Sequence, residues 1–188
     1  MNFEWNTFKI DTFNSDSYRN KINIVVLSKF KEITTLIFDV DGVLTNSGVL
    51  VLENGQLLRT MSIRDGYALK KAVESGFNVV IITGGKSEGV VKRLQRLGIV
   101  DIYYGISNKL EVLEDYMYNY ELKPEQVLYM GDDIPDLACM QKVGLPVCPV
   151  DAAPEIKAIA QYISPVEGGK GCARDVIEKV LKLNGKWT

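Results

Sequence analysis

Short apolar segments alternate with segments of helical periodicity from residue 34 to residue 183, and this alternation constrains the fold more than any other feature of the sequence. Strands that alternate with helices of this length predict a parallel sheet with helices on both faces and right-handed crossovers. We therefore expect an α/β fold, a three-layer, Rossmann-like sheet. Ligands of such sheets bind beyond the carboxyl ends of the strands, so polar residues that follow a strand are the functional candidates.

The predicted elements divide the chain into an N-terminal extension, 1–30, and one domain, 31–188. Strands are expected at 35–40, 77–82, 101–104, 127–130, 145–148 and 161–163. Helices are expected at 66–75, 87–97, 108–120, 133–142, 153–159 and 172–183. Segments 48–52 and 56–62 flank Glu53-Asn54-Gly55, which predicts a β-hairpin. The hairpin is too short to form a cap domain, and its marginal stability alone indicates packing on a neighbouring subunit.

The first predicted strand ends in two aspartates, Asp39 and Asp41, which Gly42 follows directly. Strand side chains alternate, so the two acids lean the same way, and a buried strand does not end in paired acids without a partner for their charge. A bend at Gly42 would let two oxygens face one Mg²⁺, which prefers few carboxylates and several waters. The alternative is a turn in which the aspartates hydrogen-bond their own backbone.

Three further predicted strands end in polar residues. Thr83-Gly84-Gly85 follows the second strand, where a hydroxyl and backbone amides at a helix start can hold a phosphate, although threonine is also an ordinary helix cap. Lys109 lies in the first turn of a helix, where its charge opposes the helix dipole. Residues 131–136 follow the fourth strand and contain three acids, which repel one another unless a cation or base holds them.

The composition excludes several classes of protein. The 188 residues contain no histidine, which excludes serine–histidine triads and histidine-ligated zinc. A formal net charge of −2 argues against nucleic acid or an anionic membrane as a partner and favours a small molecule. The three cysteines form no CxxC pair, which predicts a reducing, cytoplasmic location, and no apolar stretch has the length of a membrane span.

The four strand-end motifs, at 39–41, 83, 109 and 131–136, resemble those of the haloacid dehalogenase superfamily over residues 34–183. Within it the chain most resembles the capless phosphatases of 3-deoxy-D-manno-octulosonate 8-phosphate. The segments that carry this resemblance are 38–45, the hairpin, 63–67, 107–109 and 168–174. Phosphatases of nine-carbon, sialic-acid-type keto-sugar acid 9-phosphates share most of these motifs and are the alternative.

The resemblance implies a Mg²⁺-dependent phosphatase that forms an aspartyl-phosphate and serves lipopolysaccharide precursor synthesis. Asp39 would be the nucleophile, and Asp41 would protonate the leaving oxygen and then activate water. Mg²⁺ would be held by Asp39, the Asp41 backbone carbonyl and Asp132. Thr83 and Lys109 would stabilise the transferring phosphoryl group.

The resemblance also implies substrate contacts and an assembly. The implied substrate-binding residues are Asp41, Ser62, Ile63, Arg64, Asp65, Gly66, Gly84, Gly85, Arg93 and Lys109. Arg64 is the candidate partner for the carboxylate of the sugar acid, because arginine pairs with carboxylates bidentately. The enzyme would be a homotetramer with shared active sites and with no nucleic-acid or membrane partner.

The chain departs from the family pattern at one position. The family usually has an arginine directly after Thr-Gly, whereas this chain has Gly85 followed by Lys86. Lys86 is the candidate replacement, although a lysine lacks the planar fork of an arginine.

A non-enzymatic, receiver-type domain is a second alternative, because it also groups acids, threonine, lysine and Mg²⁺ around a phosphorylated aspartate. Such a domain usually places that aspartate on its third strand. The third predicted strand here ends in Tyr103-Tyr104-Gly105, which favours the enzyme.

Overall fold

The computed structural model describes residues 26–187, so most of the predicted extension, 1–30, lies outside the described residues. Residues 26–32 form helix α1, which continues across the predicted domain boundary at residue 31. Phe30 on this helix is fully buried, and its ring centroid lies 5.4 Å from that of Tyr162. The described end of the extension therefore packs as part of the domain.

Eight strands are present in the described residues. They are β1 (Thr35–Phe38), β2 (Leu50–Val51), β3 (Leu57–Leu58), β4 (Asn78–Thr83), β5 (Asp101–Tyr104), β6 (Val127–Met130), β7 (Leu145–Cys148) and β8 (Tyr162–Ile163). Six of them form one parallel sheet in the order β5-β4-β1-β6-β7-β8. The chain leaves β1 towards β4 and leaves β6 towards β7, so a crevice forms between the carboxyl ends of β1 and β6, where ligands of such sheets bind.

Helices cover both faces of the sheet, which confirms the predicted three-layer fold. Besides α1 they are α2 (Ile63–Glu74), α3 (Glu88–Gln95), α4 (Lys109–Asn119), α5 (Leu137–Met140), α6 (Pro154–Ile159) and α7 (Cys172–Leu183). Alternate residues of β1 point to opposite sides: Leu36 and Phe38 enter one buried cluster, and Ile37 enters the other. No helix within residues 26–187 combines the length and apolar character that a membrane crossing requires.

Several predicted boundaries shift, and two of the shifts concern residues at the carboxyl edge of the sheet. Strand β1 ends at Phe38 because the carbonyl of Val40 already accepts the amides of Leu44 and Thr45, both at 2.9 Å, in a tight turn. The predicted helix 133–142 is instead a 3₁₀ turn, Ile134–Asp136, followed by α5. The Asp136 amide closes that turn on the Asp133 carbonyl at 2.9 Å, and the Asp133 side chain accepts the Ile134 amide at 2.8 Å.

The predicted hairpin is present, but its strands are shorter than expected. Strands β2 and β3 pair antiparallel, with Leu50 opposite Leu58 and Val51 opposite Leu57. These four apolar side chains are exposed, Leu50 at 62% and Val51 at 64%. Both two-residue strands expose apolar side chains, so the hairpin is a candidate contact face.

Asp65, predicted to bind substrate, instead joins α2 to α7. Its side chain is only 2% exposed, and its Oδ1 accepts the Arg174 amide at 2.7 Å. Gly171, which precedes α7, has no side chain to cap that helix, so Asp65 supplies the acceptor from a different helix. Burial raises the pKa of Asp65. The geometry gives Asp65 a structural role, and its predicted substrate contact stays a prediction.

Replacing Asp65 is expected to destabilise the fold. Asp65→Ala leaves the Arg174 amide without its acceptor and should lower the free energy of unfolding by about 1–3 kcal/mol. Asp65→Asn keeps an acceptor oxygen and should lose less. Denaturant unfolding of the two variants measures the difference. Unchanged stability and a raised KM in Asp65→Ala would contradict the structural role and support substrate binding by Asp65.

Candidate active site

The predicted catalytic and metal-binding residues line one open cleft of about 460 Å³ at the carboxyl edge of the sheet. The predicted residues in its lining are Asp39, Asp41, Thr83, Gly84, Gly85, Lys109 and Asp132. They come from the last residue of β4, from the segments that follow β1, β4 and β6, and from the first residue of α4. The parallel sheet therefore brings together residues that are up to 93 positions apart in the chain, counting from Asp39 to Asp132.

The ammonium group of Lys109 links two buried acids in this cleft. Its Nζ lies 2.9 Å from Asp39 Oδ1 and donates to Asp136 Oδ1 at 2.8 Å, while the Tyr129 hydroxyl donates to the same Asp136 oxygen at 2.9 Å. Burial opposes the charge of Lys109, but the two carboxylates outweigh it and raise the pKa of this lysine. Lys109 therefore stays charged, and Asp136 fixes its position.

The carboxylates of the cleft form a cluster that fits a divalent cation. Oxygens of Asp39, Asp132 and Asp136 lie within 4.8 Å of one another. Burial, together with the neighbouring acids, raises the pKa of Asp39 to about 6 and that of Asp132 to about 7. Asp132 Oδ1 is buried and has no hydrogen-bond partner among residues 26–187. Oxygen donors held this way are the ligands that Mg²⁺ prefers.

Gly42 allows Asp132 to reach this cluster. It adopts a φ of 98°, and a Cβ at this position would lie 1.9 Å from Asp132 Oδ2. Any other residue would displace Asp132 as well as strain the turn. Gly42 thus makes room for Asp132, which follows β6. The sequence pattern does not reveal this contact between the two segments.

The Asp41 side chain turns away from the acidic cluster and pairs with Arg59, at the base of the hairpin. Arg59 Nε donates to Asp41 Oδ1 at 2.6 Å, and Nη2 donates to Oδ2 at 2.9 Å. Sequence reasoning missed Arg59. The only available signal was a lone cation that follows the apolar pair Leu57-Leu58, three residues before the predicted substrate loop at Ser62.

The end of β4 and the residues that follow it place Thr83 and Gly85 beside Asp41. Thr83 Oγ1 accepts the Gly85 amide at 3.2 Å. A Cβ at Gly85 would lie 2.9 Å from Asp41 Oδ2 and 3.4 Å from Arg59 Nη2, so a side chain there would shift the Asp41 carboxylate. The stem of Lys86 lies over Gly105, and Lys86 is not among the residues that line the cleft. The proposed replacement of the missing arginine by Lys86 thus stays a prediction.

The remaining predicted substrate-binding residues do not line the Asp39 cleft. Ser62 caps α2 by accepting the Asp65 amide at 3.2 Å, and Ile63 is 80% exposed. Arg64 lines a separate cavity of about 380 Å³ together with Lys170 and Arg174. Within one chain, Arg64 therefore does not line the cleft that contains Asp39, and its predicted contact with the substrate stays a prediction.

Arg93 also lies apart from the cleft. A Cβ at Gly66 would lie 2.6 Å from Arg93 Nη2, so the absence of a side chain at Gly66 lets this guanidinium lie on α2. Arg93 lines a cavity with Leu57, Leu58 and other residues next to the hairpin. The predicted roles of Gly66 and Arg93 in substrate binding stay predictions.

Comparisons with known proteins point to one family of phosphatases. A family model of haloacid dehalogenase-like hydrolases matches residues 95–174. The chain is similar to 3-deoxy-D-manno-octulosonate 8-phosphate phosphatase of Salmonella typhi, with 41% identity over 161 residues and 86% of each chain covered. It is also similar to the crystal structure of the Yersinia pestis phosphatase, with a TM-score of 0.83, 35% identity, and 86% of this chain and 87% of that chain covered.

A further similar structure contains ligands. It is the 3-deoxy-D-manno-octulosonate 8-phosphate phosphatase of Moraxella catarrhalis in complex with magnesium ion, phosphate ion and the sugar acid KDO. Its TM-score is 0.81 at 30% identity, and the match covers 85% of this chain and 91% of that chain. An acidic cluster that fits Mg²⁺ thus occurs here in a fold that binds Mg²⁺ in a relative.

The raised pKa values predict that Mg²⁺ stabilises the protein more at pH 8 than at pH 6. At pH 6 Asp132, with a pKa of about 7, carries a proton that the ion must displace. At pH 8 Asp39 and Asp132 are both ionised, which destabilises the metal-free fold, and a bound cation removes this repulsion. The measurement is the change in melting temperature on adding Mg²⁺ at each pH.

Asp132→Asn is the matched variant for this experiment. It removes one charge of the cluster and should lose most of the Mg²⁺-dependent shift. A shift of equal size at both pH values, or one that persists in Asp132→Asn, would contradict the assignment of these acids to the metal.

Proposed function

The chain belongs to the 3-deoxy-D-manno-octulosonate 8-phosphate phosphatases of the haloacid dehalogenase superfamily, and from this membership we propose that it hydrolyses that ester to the free sugar acid and phosphate. The observation that carries the proposal is the buried Asp39 carboxylate at the open cleft, 2.9 Å from the ammonium of Lys109. The magnesium, phosphate and sugar acid bound in the Moraxella catarrhalis relative support it. The product serves lipopolysaccharide precursor synthesis.

Asp39 is the nucleophile of the proposed reaction. Its carboxylate oxygen attacks phosphorus, a bond from phosphorus to Asp39 forms, and the bond from phosphorus to the sugar oxygen breaks. Water then attacks the phosphorus of the aspartyl-phosphate and releases phosphate together with the free carboxylate. Lys109 and Thr83 stabilise the charge on the non-bridging oxygens in both steps.

Asp41 handles the protons of both steps. In the first step it donates a proton to the sugar oxygen as that oxygen leaves, because an alkoxide is a poor leaving group. In the second step the Asp41 carboxylate accepts a proton from the attacking water. Its place in the lining of the same cleft as Asp39 supports this role.

Mg²⁺ neutralises the charge of the phosphate when it is bound, so that an anionic nucleophile can approach. Asp39, the backbone carbonyl of Asp41 and Asp132 would hold the ion. Two observations support the assignment. Asp132 Oδ1 has no hydrogen-bond partner among the described residues, and the pKa of this carboxyl group is raised, so a bound cation would stabilise its charge.

Two alternatives receive less support. A phosphatase of a nine-carbon keto-sugar acid 9-phosphate would use the same catalytic groups, but the relatives described above act, by name, on the eight-carbon ester. A receiver-type domain would need an aspartate at the tip of β5, which ends at Tyr104.

Steady-state kinetics of the purified protein with Mg²⁺ test the function. We expect kcat/KM to be at least about tenfold higher for the eight-carbon than for the nine-carbon ester, the discrimination that one contact of about 1.4 kcal/mol provides. Asp39→Asn should abolish phosphate release from both, because an amide is a poor nucleophile. Asp115→Asn, a change of an exposed aspartate on α4, is the control and should behave as wild type.

Wild-type activity of Asp39→Asn would overturn the mechanism. A preference for the nine-carbon ester would keep the mechanism and replace the substrate.

We also propose that the enzyme is a cytoplasmic homotetramer whose subunits share active sites. The exposed apolar side chains of β2 and β3 support a contact face on the hairpin. Arg64 lines a cavity other than the Asp39 cleft, so a role in binding the sugar carboxylate requires a substrate held by another subunit. Three unpaired, buried cysteines, Cys139, Cys148 and Cys172, support a reducing compartment.

Charges on the hairpin should dissociate the assembly. The double substitution Leu50→Asp, Leu58→Asp places two like charges on a cross-strand pair and should yield smaller species in analytical ultracentrifugation. It should also lower kcat/KM for the sugar-acid ester more than for p-nitrophenyl phosphate. Arg64→Ala should show the same substrate bias, about ten- to hundredfold, without dissociation.

Val100→Asp is the control, because Val100 is 86% exposed and lies away from the hairpin. A fully active wild-type protein that sediments as a monomer would refute the shared-site proposal.

A further inference from the structure

We propose that Arg59 is a positioning residue for catalysis, one that fixes the direction in which the Asp41 carboxyl group faces the cleft. The proposal rests on the proposed role of Asp41 as proton donor and acceptor. Its basis is the pairing of both carboxylate oxygens with the guanidinium, Nε to Oδ1 at 2.6 Å and Nη2 to Oδ2 at 2.9 Å. Two parallel hydrogen bonds to a planar fork define the plane of the carboxylate, which a single contact does not.

The surroundings of Arg59 shield one side of this pair from water. The Arg59 side chain is only 9% exposed, whereas that of Asp41 is 35% exposed and lines the cleft. On the protected side the pair borders a small space lined by apolar residues of β4 and α3, among them Ile81, Val90 and Leu94. Water competes little for such a pair, so the guanidinium holds Asp41 from behind while the carboxyl group remains accessible from the cleft. Thr45 Oγ1 adds a contact to Oδ1 at 3.4 Å.

Arg59 acts on Asp41 and not on the substrate, because its nitrogens already have acceptors within the chain. Nε and Nη2 are bound to Asp41, and Nη1 lies 3.5 Å from the Leu57 carbonyl. A substrate anion would have to displace Asp41 to pair with Nε and Nη2, so only the second N–H groups of Nη1 and Nη2 remain for another acceptor. The geometry therefore favours positioning over a direct phosphate contact.

Gly85 leaves space beside the Arg59–Asp41 pair. A Cβ at position 85 would lie 2.9 Å from Asp41 Oδ2 and 3.4 Å from Arg59 Nη2. The guanidinium beside Asp41 comes from the hairpin, in a chain that lacks the usual arginine after Thr83-Gly84. Glycine at 85 and arginine at 59 thus form one arrangement.

Loss of this positioning has a kinetic signature. A misdirected Asp41 fails to protonate the leaving oxygen, which matters for a sugar alkoxide and little for p-nitrophenolate, a stable anion. General acid catalysis contributes about 10²–10⁴ in rate, so a partial loss should lower kcat/KM for the sugar-acid ester by about ten- to a hundredfold. The value for p-nitrophenyl phosphate should change less than about threefold, because its phosphoryl transfer needs no proton donor.

The experiment compares Arg59→Ala and Arg59→Lys with wild type on the sugar-acid phosphate and a series of aryl phosphates, at saturating Mg²⁺ and one pH. Arg59→Ala should steepen the dependence of kcat/KM on the pKa of the leaving group. Arg59→Lys keeps the charge but loses the fork, and it should recover only part of the loss. Lys92→Ala, which removes a cation from an exposed pair with Glu88, should leave all values unchanged.

A double-mutant cycle separates positioning from a structural defect. In the Asp41→Asn background, Arg59→Ala should cost less than about threefold in residual kcat/KM, because the pair is already broken. Equal losses for all leaving groups, or full additivity in the cycle, would overturn the inference. If Arg59→Ala fails to fold, as judged by thermal unfolding and sedimentation, Arg59→Lys is compared with wild type on the same series of leaving groups and in the same cycle. Loss of the proposed function itself is distinct, since it requires activity of Asp39→Asn or inactivity of wild type.

Discussion

The ammonium of Lys109, held between two buried carboxylates, is the interaction on which the rest of the site depends. Its Nζ lies 2.9 Å from Asp39 and 2.8 Å from Asp136, which connects the ends of β1 and β6 through the first turn of α4. Acids this close would otherwise repel one another in a region of low dielectric constant. The lysine offsets part of that repulsion, but burial and the neighbouring acids still raise the pKa values of Asp39 and Asp132. A second cation, Mg²⁺, fits the remaining charge.

The hairpin takes part in the chemistry of the cleft as well as in the proposed assembly. Its outer strands expose Leu50 and Val51, while Arg59 at its base binds both oxygens of Asp41. A segment of about ten residues thereby connects an exposed apolar surface with Asp41, the group proposed to transfer protons. In the proposed assembly, this arrangement would let a neighbouring subunit order the active site.

Much of the fold and the place of the candidate catalytic residues at one cleft could be predicted from the sequence, because periodicity and strand-end polarity are local signals. The apolar runs placed β5, β6 and β7 at their observed bounds, and the Asp-x-Asp pair marked the edge that forms the cleft. Asp65 shows what this reasoning does not reach. A carboxylate in a predicted substrate loop gives no local sign that it will instead accept the amide of Arg174, 109 residues further on.

The sequence by itself determined the parallel three-layer sheet, the order of the four motifs and the absence of histidine chemistry, since each follows from residue type and spacing along the chain. Only the tertiary structure decided which charged groups meet: Lys109 with Asp136, Asp132 with the space left by Gly42, and Arg59 with Asp41. These contacts depend on distances between segments far apart in sequence. Packing sets such distances to within an ångström, whereas hydrophobic periodicity specifies only which face of a strand or helix is buried.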